Sequence, residues 1–286
     1  MPADLTAIIL TKDEEINIED CIKSIKDITK RIIVIDSYSS DKTVFIAKSL
    51  GVEVYQHKFE NHAKQFMYAL ETTDIDTVWT LRIDADERLT SESSKELMDL
   101  CNEHMNTQVS GIVLRFKKSF LGKDLRHGGV YPWKKLSCFK TKFGTVEERL
   151  MDEHIVVREG YVVTMTNDCL HFDFKSLDSF IAKHNWYSTR EVIDYYNNLE
   201  NPDLTNMSAK TKFKMRVYYK LPGGLRSFIY YFYRYYIRMG FLDGREGRIY
   251  AFLQAYWYRY LVDAKMYECK KMGVVYQTDG TLKKEE

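Results

Sequence analysis

The 286-residue chain has no Cys-x-x-Cys pair. Its five cysteines, Cys21, Cys101, Cys138, Cys169 and Cys269, are odd in number and widely spaced. That argues against a zinc site or a disulfide framework and for a reducing compartment. No uninterrupted apolar stretch approaches the roughly 20 residues needed to span a bilayer. Met1-Pro2-Ala3-Asp4-Leu5 lacks the basic start and apolar run of a signal peptide, so a cytoplasmic protein is expected. There is neither a Gly-x-Gly-x-x-Gly nor a Walker pattern. Any phosphate the chain binds must therefore be neutralised without a glycine-rich loop. Internal repeats are also missing.

What is present is an ordinary apolar content of 45%, enough for a sizeable core. The net charge of +1 conceals an asymmetry: Thr205 to Lys271 carries 14 Lys/Arg against 4 Asp/Glu, and the remainder is acidic. A basic C-terminal segment implies an anionic partner. In chain order, Leu5–Leu10 reads as a buried parallel strand, followed by a helix over about 16–26. A second strand, Arg31–Asp36, precedes a helix over 43–50 that Gly51 stops. Val52–Gln56 and 61–70 repeat the pattern, and a fourth strand runs from Val78 to Asp84. Four alternations of strand and helix predict a parallel sheet wrapped by helices. The rhythm then changes to a helix over 91–101 and strands over 111–117, 136–140 and 161–166. From Ser176 onward the chain reads as helical, with breaks at Asn201-Pro202-Asp203 and Leu221-Pro222-Gly223-Gly224. The expected division is a catalytic domain over 1–175 and a helical extension over 176–286.

The fourth strand ends in Asp84-Ala85-Asp86-Glu87, three carboxylates within four positions. Ligands of open α/β sheets bind beyond the carboxyl ends of the strands. Two acids at spacing two, placed there, suit a divalent cation that bridges phosphate oxygens, although a polar turn has the same pattern. The first two strands end in Thr11-Lys12-Asp13-Glu14 and Asp36-Ser37-Tyr38-Ser39-Ser40-Asp41 on the same edge, where acids can hydrogen-bond a base or ribose.

On Ile8–Glu15, Val34–Thr43 and Arg82–Glu87 the sequence resembles family-2 glycosyltransferases with the GT-A fold. Phe120-Leu121-Gly122-Lys123, Arg126–Pro132, Leu170-His171-Phe172 and Gly240–Gly244 most resemble the lipopolysaccharide-core β-glycosyltransferases of the WaaE/KdtX type. The resemblance covers about 5–265. It implies a Rossmann-like, mostly parallel sheet flanked by helices, with the aromatic, basic helical extension appended. It also implies roles: Asp36 for the nucleotide base, Thr11 and Glu14 at the nucleotide-contacting end of the first strand, and Lys64 facing the nucleotide. Asp84 would contact ribose or metal, and Asp86 would be the direct ligand of Mn²⁺ or Mg²⁺. Asp13 departs from the family's usual asparagine but keeps an acceptor.

Inverting sugar transfer needs a general base for the acceptor hydroxyl and stabilisation of the departing diphosphate. Leu150-Met151-Asp152-Glu153-His154 supplies acids in the region where the family carries its base. Glu153 is the first choice and Asp152 the second; a solvated acidic turn is the competing reading. His171 can complete the metal shell, as imidazole suits Mn²⁺ better than Mg²⁺, or be a structural histidine. Arg126, His127, Gly128 and Trp133 are read as the acceptor wall, against a plain hairpin with a core tryptophan.

In the tail, Arg226–Phe241 and Ile249–Val262 are dense in Tyr, Phe and Trp. Arg226, Arg234 and Arg238 share one helical face, as do Arg248 and Arg259. Tyr and Trp favour the membrane interface and Arg pairs with lipid phosphate. These helices are expected either to hold the protein peripherally on the inner face of the cytoplasmic membrane or to pack over the catalytic domain; a homodimer is also conceivable. Nucleic acid is not an expected partner. The reading is an enzyme moving a sugar, UDP-linked by preference, onto a glycan or lipid-linked acceptor in bacterial surface polysaccharide or lipopolysaccharide synthesis. The alternatives are a sugar nucleotidyltransferase, or a glycan- or membrane-binding module with a degenerate site.

Overall fold

Three of the described strands are buried on both faces, and they set the architecture. β1 (Leu5–Thr11) is buried at all seven positions. Its alternate side chains feed two cores. Ala7 and Ile9 pack with Ile18, Cys21, Ile22 and Ile25 of α1 (Ile18–Ile25). Ile8 and Leu10 pack with Phe66 and Ala69 of α3 (His62–Thr72). Residues i and i+2 share a face of a strand, so a continuous apolar run is what a sheet covered on both sides requires. The computed structural model describes residues 1–146, 155–200 and 221–284.

β2 (Arg31–Asp36), β3 (Glu53–Gln56) and β4 (Trp79–Asp84) join β1 in parallel, in the order β3-β2-β1-β4, with α2 (Thr43–Ser49) between β2 and β3. β5 (Glu87–Arg88) follows the turn after β4, and α4 (Ser91–Glu103) starts in a capping box between Thr90 and Ser93. Beyond β4 the sheet becomes mixed. β6 (Val109–Phe120) is followed by β7 (Lys123–Leu125), β8 (Trp133–Lys140), β9 (Gly144–Val146), β10 (Ile155–Val157) and β11 (Tyr161–His171). β8 lies antiparallel between β4 and β6; β11 runs parallel to β6, and β5 pairs antiparallel with the end of β11. β9 and β10 form a separate ribbon. The result is a Rossmann-like mixed sheet flanked by helices, as the expected GT-A fold requires.

Three strands run further than the sequence suggested, β6 at both ends. β11 continues past Thr166 to His171, its pairing with β6 resuming at Asp168 after a register shift, and such an irregularity breaks the alternation by which strands are recognised. β8 starts at Trp133, with a second shift between Ile112 and Val113 of its partner.

The chain forms two compact units. The first is 1–119 with 132–173, and the second is 120–131 with 174–286. A single boundary near 175 does not anticipate that the segment 120–131 belongs with the C-terminal helices. The second unit contains α5 (Leu177–Glu200), α6 (Leu225–Phe232), α7 (Gly244–Ala251) and α8 (Tyr258–Met272), and a small ribbon of β12 (Val274–Tyr276) and β13 (Leu282–Lys284). One of its cores is aromatic: Phe120 meets Phe174, Phe180 and Tyr250 edge-on. Among the described residues no helix is long and apolar enough to cross a membrane.

The arginines expected to face lipid are divided. Arg226 is buried and ion-paired with Asp263, which also accepts from the Gly224 amide at 2.9 Å. Arg259 pairs with Glu191 at 3.0 Å, and Arg234 donates to the Gly128 carbonyl. Arg238 and Arg248 are exposed. Removing one partner of a buried pair leaves an uncompensated charge, so Asp263→Ala should cost about 3–5 kcal/mol. Urea unfolding of the variant checks this; a loss under about 1 kcal/mol, the range of an exposed pair, would contradict it.

Candidate active site

The parallel register brings the expected site residues to one edge. Thr11 is opposite Asp36, and Leu10 is opposite Asp84, so β1, β2 and β4 end in a row. Asp36 is buried, and its carboxylate accepts from the Ser39 amide at 3.0 Å, Gln56 Nε2 at 3.1 Å and the Ser39 hydroxyl. The Thr11 hydroxyl is buried with no hydrogen-bond partner. Glu14 accepts from Asn17 Nδ2 at 2.7 Å and donates its amide to Thr43 Oγ1 at 2.8 Å, tying the first loop to the second. In those loops Asp13 and Tyr38 take positive φ values of 51° and 59°. The left-handed region is costly for tyrosine, and such backbone clusters at ligand edges. Lys64 sits in the first turn of α3, exposed and paired with Glu60.

The turn after β4 is the most charged part of this edge. Lys135 Nζ of β8 lies 3.0 Å from Asp84 Oδ2 and 2.6 Å from Glu87 Oε1. Glu87 is fully buried, and its Oε2 accepts from the Asp84 amide at 3.0 Å, which closes the turn. On the other side, Arg82 Nε is 3.7 Å from Asp84 Oδ1. Burial opposes ionisation of Asp84, but the charges of Lys135 and Arg82 outweigh it and hold the carboxyl well below the usual range. Burial pushes the Glu87 carboxyl up, against Lys135 and with the help of Asp84. For Lys135 burial works against the ammonium, yet Asp84 and Glu87 prevail and raise its pKa. Below the turn, burial drives the Cys21 thiol far up, so it is an inert packing group.

Asp86 points to a different partner. β5 pairs with β11 so that His171 stands opposite Glu87, and the Phe172 amide donates to the Asp86 carbonyl at 2.8 Å. This sets His171 Nε2 3.6 Å from Asp86 Oδ2. Burial disfavours the imidazolium, but Asp86 overrides it and raises the His171 pKa above its ordinary value. Trp133 stacks on His171 with ring centroids 4.9 Å apart, and Phe116 meets the same ring edge-on at 6.3 Å.

Asp86 and His171 offer an oxygen and an imidazole nitrogen of the kind Mn²⁺ accepts. Asp84 Oδ1 and His171 Nδ1 are buried without hydrogen bonds. No group of three His, Cys, Asp or Glu side chains among the described residues is already arranged to hold a metal. The donor set therefore fits a cation only when the missing ligands come from elsewhere, as diphosphate oxygens would supply them.

The remaining expected residues fall as follows. Trp133 belongs to the first unit, while Arg126, His127 and Gly128 belong to the second. There Asp243 accepts from the Arg126 amide at 3.0 Å, the His127 amide at 2.8 Å and His127 Nδ1 at 2.7 Å. Asp243 thus shapes this loop, which explains the acid in Gly240–Gly244. Asp152 and Glu153 lie outside the described residues.

Sequence reasoning missed Lys135 and Glu87 as site residues. The available signal was a lysine directly before the predicted strand 136–140, on a strand that starts earlier, at Trp133.

A Rossmann-like sheet with Asp-x-Asp at its carboxyl edge and a histidine folded against the second acid defines a sugar-transferase scaffold of GT-A type. The glycosyl transferase family 2 profile matches residues 6–154, just over half of the chain, and the protein belongs to that family and is a glycosyltransferase. It is similar to an uncharacterized glycosyltransferase of Rickettsia bellii, 28% identical over 92% of this chain and 86% of the relative. A second, from Rickettsia felis, is 25% identical over 97% of this chain and 95% of the relative. Among solved structures, glucosyl-3-phosphoglycerate synthase from Mycobacterium tuberculosis in complex with Mn²⁺, UDP and glucosyl-3-phosphoglycerate aligns with a TM-score of 0.33. It is 17% identical, over 41% of this chain and 44% of that one.

Proposed function

We propose that the chain is a metal-dependent inverting glycosyltransferase that takes a nucleotide-diphosphate sugar, UDP-linked by preference, and builds a bacterial surface glycan. The observation that carries this is the register of β5 on β11, which sets His171 against Asp86 at the carboxyl edge of the parallel sheet. Thr11, Glu14, Asp36 and Lys64 line the nucleotide side, and Asp84 fixes the ribose end. Asp86 and His171 hold Mn²⁺ or Mg²⁺, with Asp84 beside them. When bound, the cation stabilises the negative charge of the departing diphosphate.

In the transfer step the acceptor oxygen attacks the anomeric carbon as the bond from that carbon to the diphosphate oxygen breaks on the opposite face. The acceptor's proton passes to Glu153, or to Asp152 if the base lies one place earlier. The nucleoside diphosphate leaves with the bonding electrons. Trp133, stacked on His171, offers an aromatic face to a sugar ring. Thermal-shift measurement against a panel of nucleotide-sugars, with and without Mn²⁺, tests the reading. The expected result is a shift for a UDP-sugar that needs the cation. No shift with any nucleotide favours a glycan- or membrane-binding module instead.

The acceptor is lipid-linked in this reading, and the protein is peripheral on the membrane that presents it, in keeping with the likeness to the WaaE/KdtX type. Support comes from Phe228, Phe232, Tyr236 and Ile237, all exposed and all within or just after α6, next to exposed Arg238. Each arginine near an anionic surface contributes about 1 kcal/mol. Vesicles with anionic lipid should bind the protein more tightly than neutral ones, by on the order of tenfold at low salt, with the difference fading as salt rises. Equal binding to both kinds of vesicle would refute the electrostatic part.

A further inference from the structure

Three carboxylates crowd the turn after β4, yet the cations around them leave little charge to spare. Arg82 and Lys135 both face Asp84, Lys135 also reaches Glu87, and His171 faces Asp86, so each of the three acids has a basic group against it. Lys135 is held firmly. Its strand lies between β4 and β6, and its ammonium sits 5.6 Å from the ring centroids of both Phe116 and Trp133. Charges in such an enclosure are screened far less than at the surface. A divalent cation approaching Asp84 and Asp86 therefore meets a fixed ammonium that is already neutralising one of its ligands. The diphosphate of a nucleotide brings the negative charge that offsets it.

We propose that Lys135 is a resident counter-cation that couples metal binding to nucleotide binding. It weakens the hold of the bare Asp84–Glu87 turn on a divalent cation, so that the cation binds firmly only together with the donor's diphosphate. This rests on the donor site described above. Glu87 is the positioning partner: it anchors the Lys135 ammonium at 2.6 Å and the Asp84 amide at 3.0 Å. A purely structural role for the Lys135–Glu87 pair makes a different forecast. Breaking a pair that merely shapes the turn loosens metal binding whichever partner is removed. A charge effect has opposite signs for the two partners.

The test is calorimetric titration of the full chain with Mn²⁺ alone and with Mn²⁺ in the presence of UDP. For the natural protein Mn²⁺ alone binds weakly, and UDP tightens it at least about tenfold, within the usual span of coupling between sites. Lys135→Met tightens binding of Mn²⁺ alone by on the order of tenfold and shrinks the gain from UDP. Glu87→Gln loosens binding of Mn²⁺ alone by a similar factor. Lys135→Met/Glu87→Gln removes the buried pair as a unit and keeps the net charge, so its affinity returns to within about threefold of the natural protein. If Lys135→Met alone does not fold, the contrast between Glu87→Gln and the double variant carries the same information. Looser or unchanged Mn²⁺ binding in folded Lys135→Met, or a double variant as loose as Glu87→Gln, overturns the proposal. Absence of Mn²⁺ and UDP binding in the natural protein contradicts the donor site itself, and the coupling falls with it.

Discussion

Asp86→Ala should lower Mn²⁺-dependent affinity for UDP by at least about 100-fold. Mutating groups that only support metal ligands typically costs 10- to 100-fold in metal affinity, so losing a direct ligand sets a floor near the upper end. The reason lies in the division of labour within the turn. Asp84 is occupied by Lys135 and Arg82, whereas among the described side chains Asp86 is paired with His171. Alanine removes the one carboxylate of the turn that neither buried cation neutralises. The fold should survive, because Asp86 contributes to β5–β11 pairing through its carbonyl, which accepts from the Phe172 amide at 2.8 Å and does not depend on the side chain. Calorimetry with UDP and Mn²⁺, alongside a thermal melt, separates the two effects. Unchanged affinity in a folded variant would show that the cation, if any, is held elsewhere.

Glu153→Gln should leave donor binding intact and lower the transfer rate by about 10²–10⁴-fold, the contribution expected of a positioned general base. The substitution keeps size and hydrogen bonding but removes the proton acceptor. Its signature is a fall in kcat with little change in the donor's KM, since the proposed donor site is built from groups at the ends of β1, β2, β4 and β11, away from this acidic pair in sequence. Asp152→Asn is the companion variant. Full activity in Glu153→Gln with loss in Asp152→Asn moves the base by one place. Full activity in both removes this acidic pair from the chemistry.

The parallel half of the sheet was legible because burial on both faces leaves a direct trace. Runs such as Ala7-Ile8-Ile9-Leu10 and Ile32-Ile33-Val34-Ile35 admit few other readings, and the acids that end them mark the ligand edge. Asp84 and Asp86 followed from that placement. Of their partners, His171 was named through the family resemblance and not through any periodicity, and Lys135 was not legible. His171 reaches Asp86 through a two-residue strand, Glu87–Arg88, which is too short to show any periodicity. It also depends on a register shift in β11 that conceals the strand's last five residues. Lys135 is hidden by a similar irregularity. Between Cys138 and Leu136, Ser137 has no partner in the register with β6, so the side chains beyond it change face. Simple alternation would set Lys135 on the face of Phe139; the shift sets it with Phe116 instead, next to the turn. The arginines of the tail show a third limit. A helical wheel groups Arg226 with Arg234 and Arg238, but it is blind to Asp263 and the Gly128 carbonyl, which take two of the three.

Asp86 and His171 are proposed to hold a cation together against the donor's diphosphate. Crystals grown with UDP and Mn²⁺, measured at the manganese absorption edge, test it most directly. The expected result is one strong anomalous peak within coordination distance of an Asp86 carboxylate oxygen and of His171, with the UDP phosphates on its open side. A bound UDP with no such peak, or a peak that touches neither residue, would contradict it.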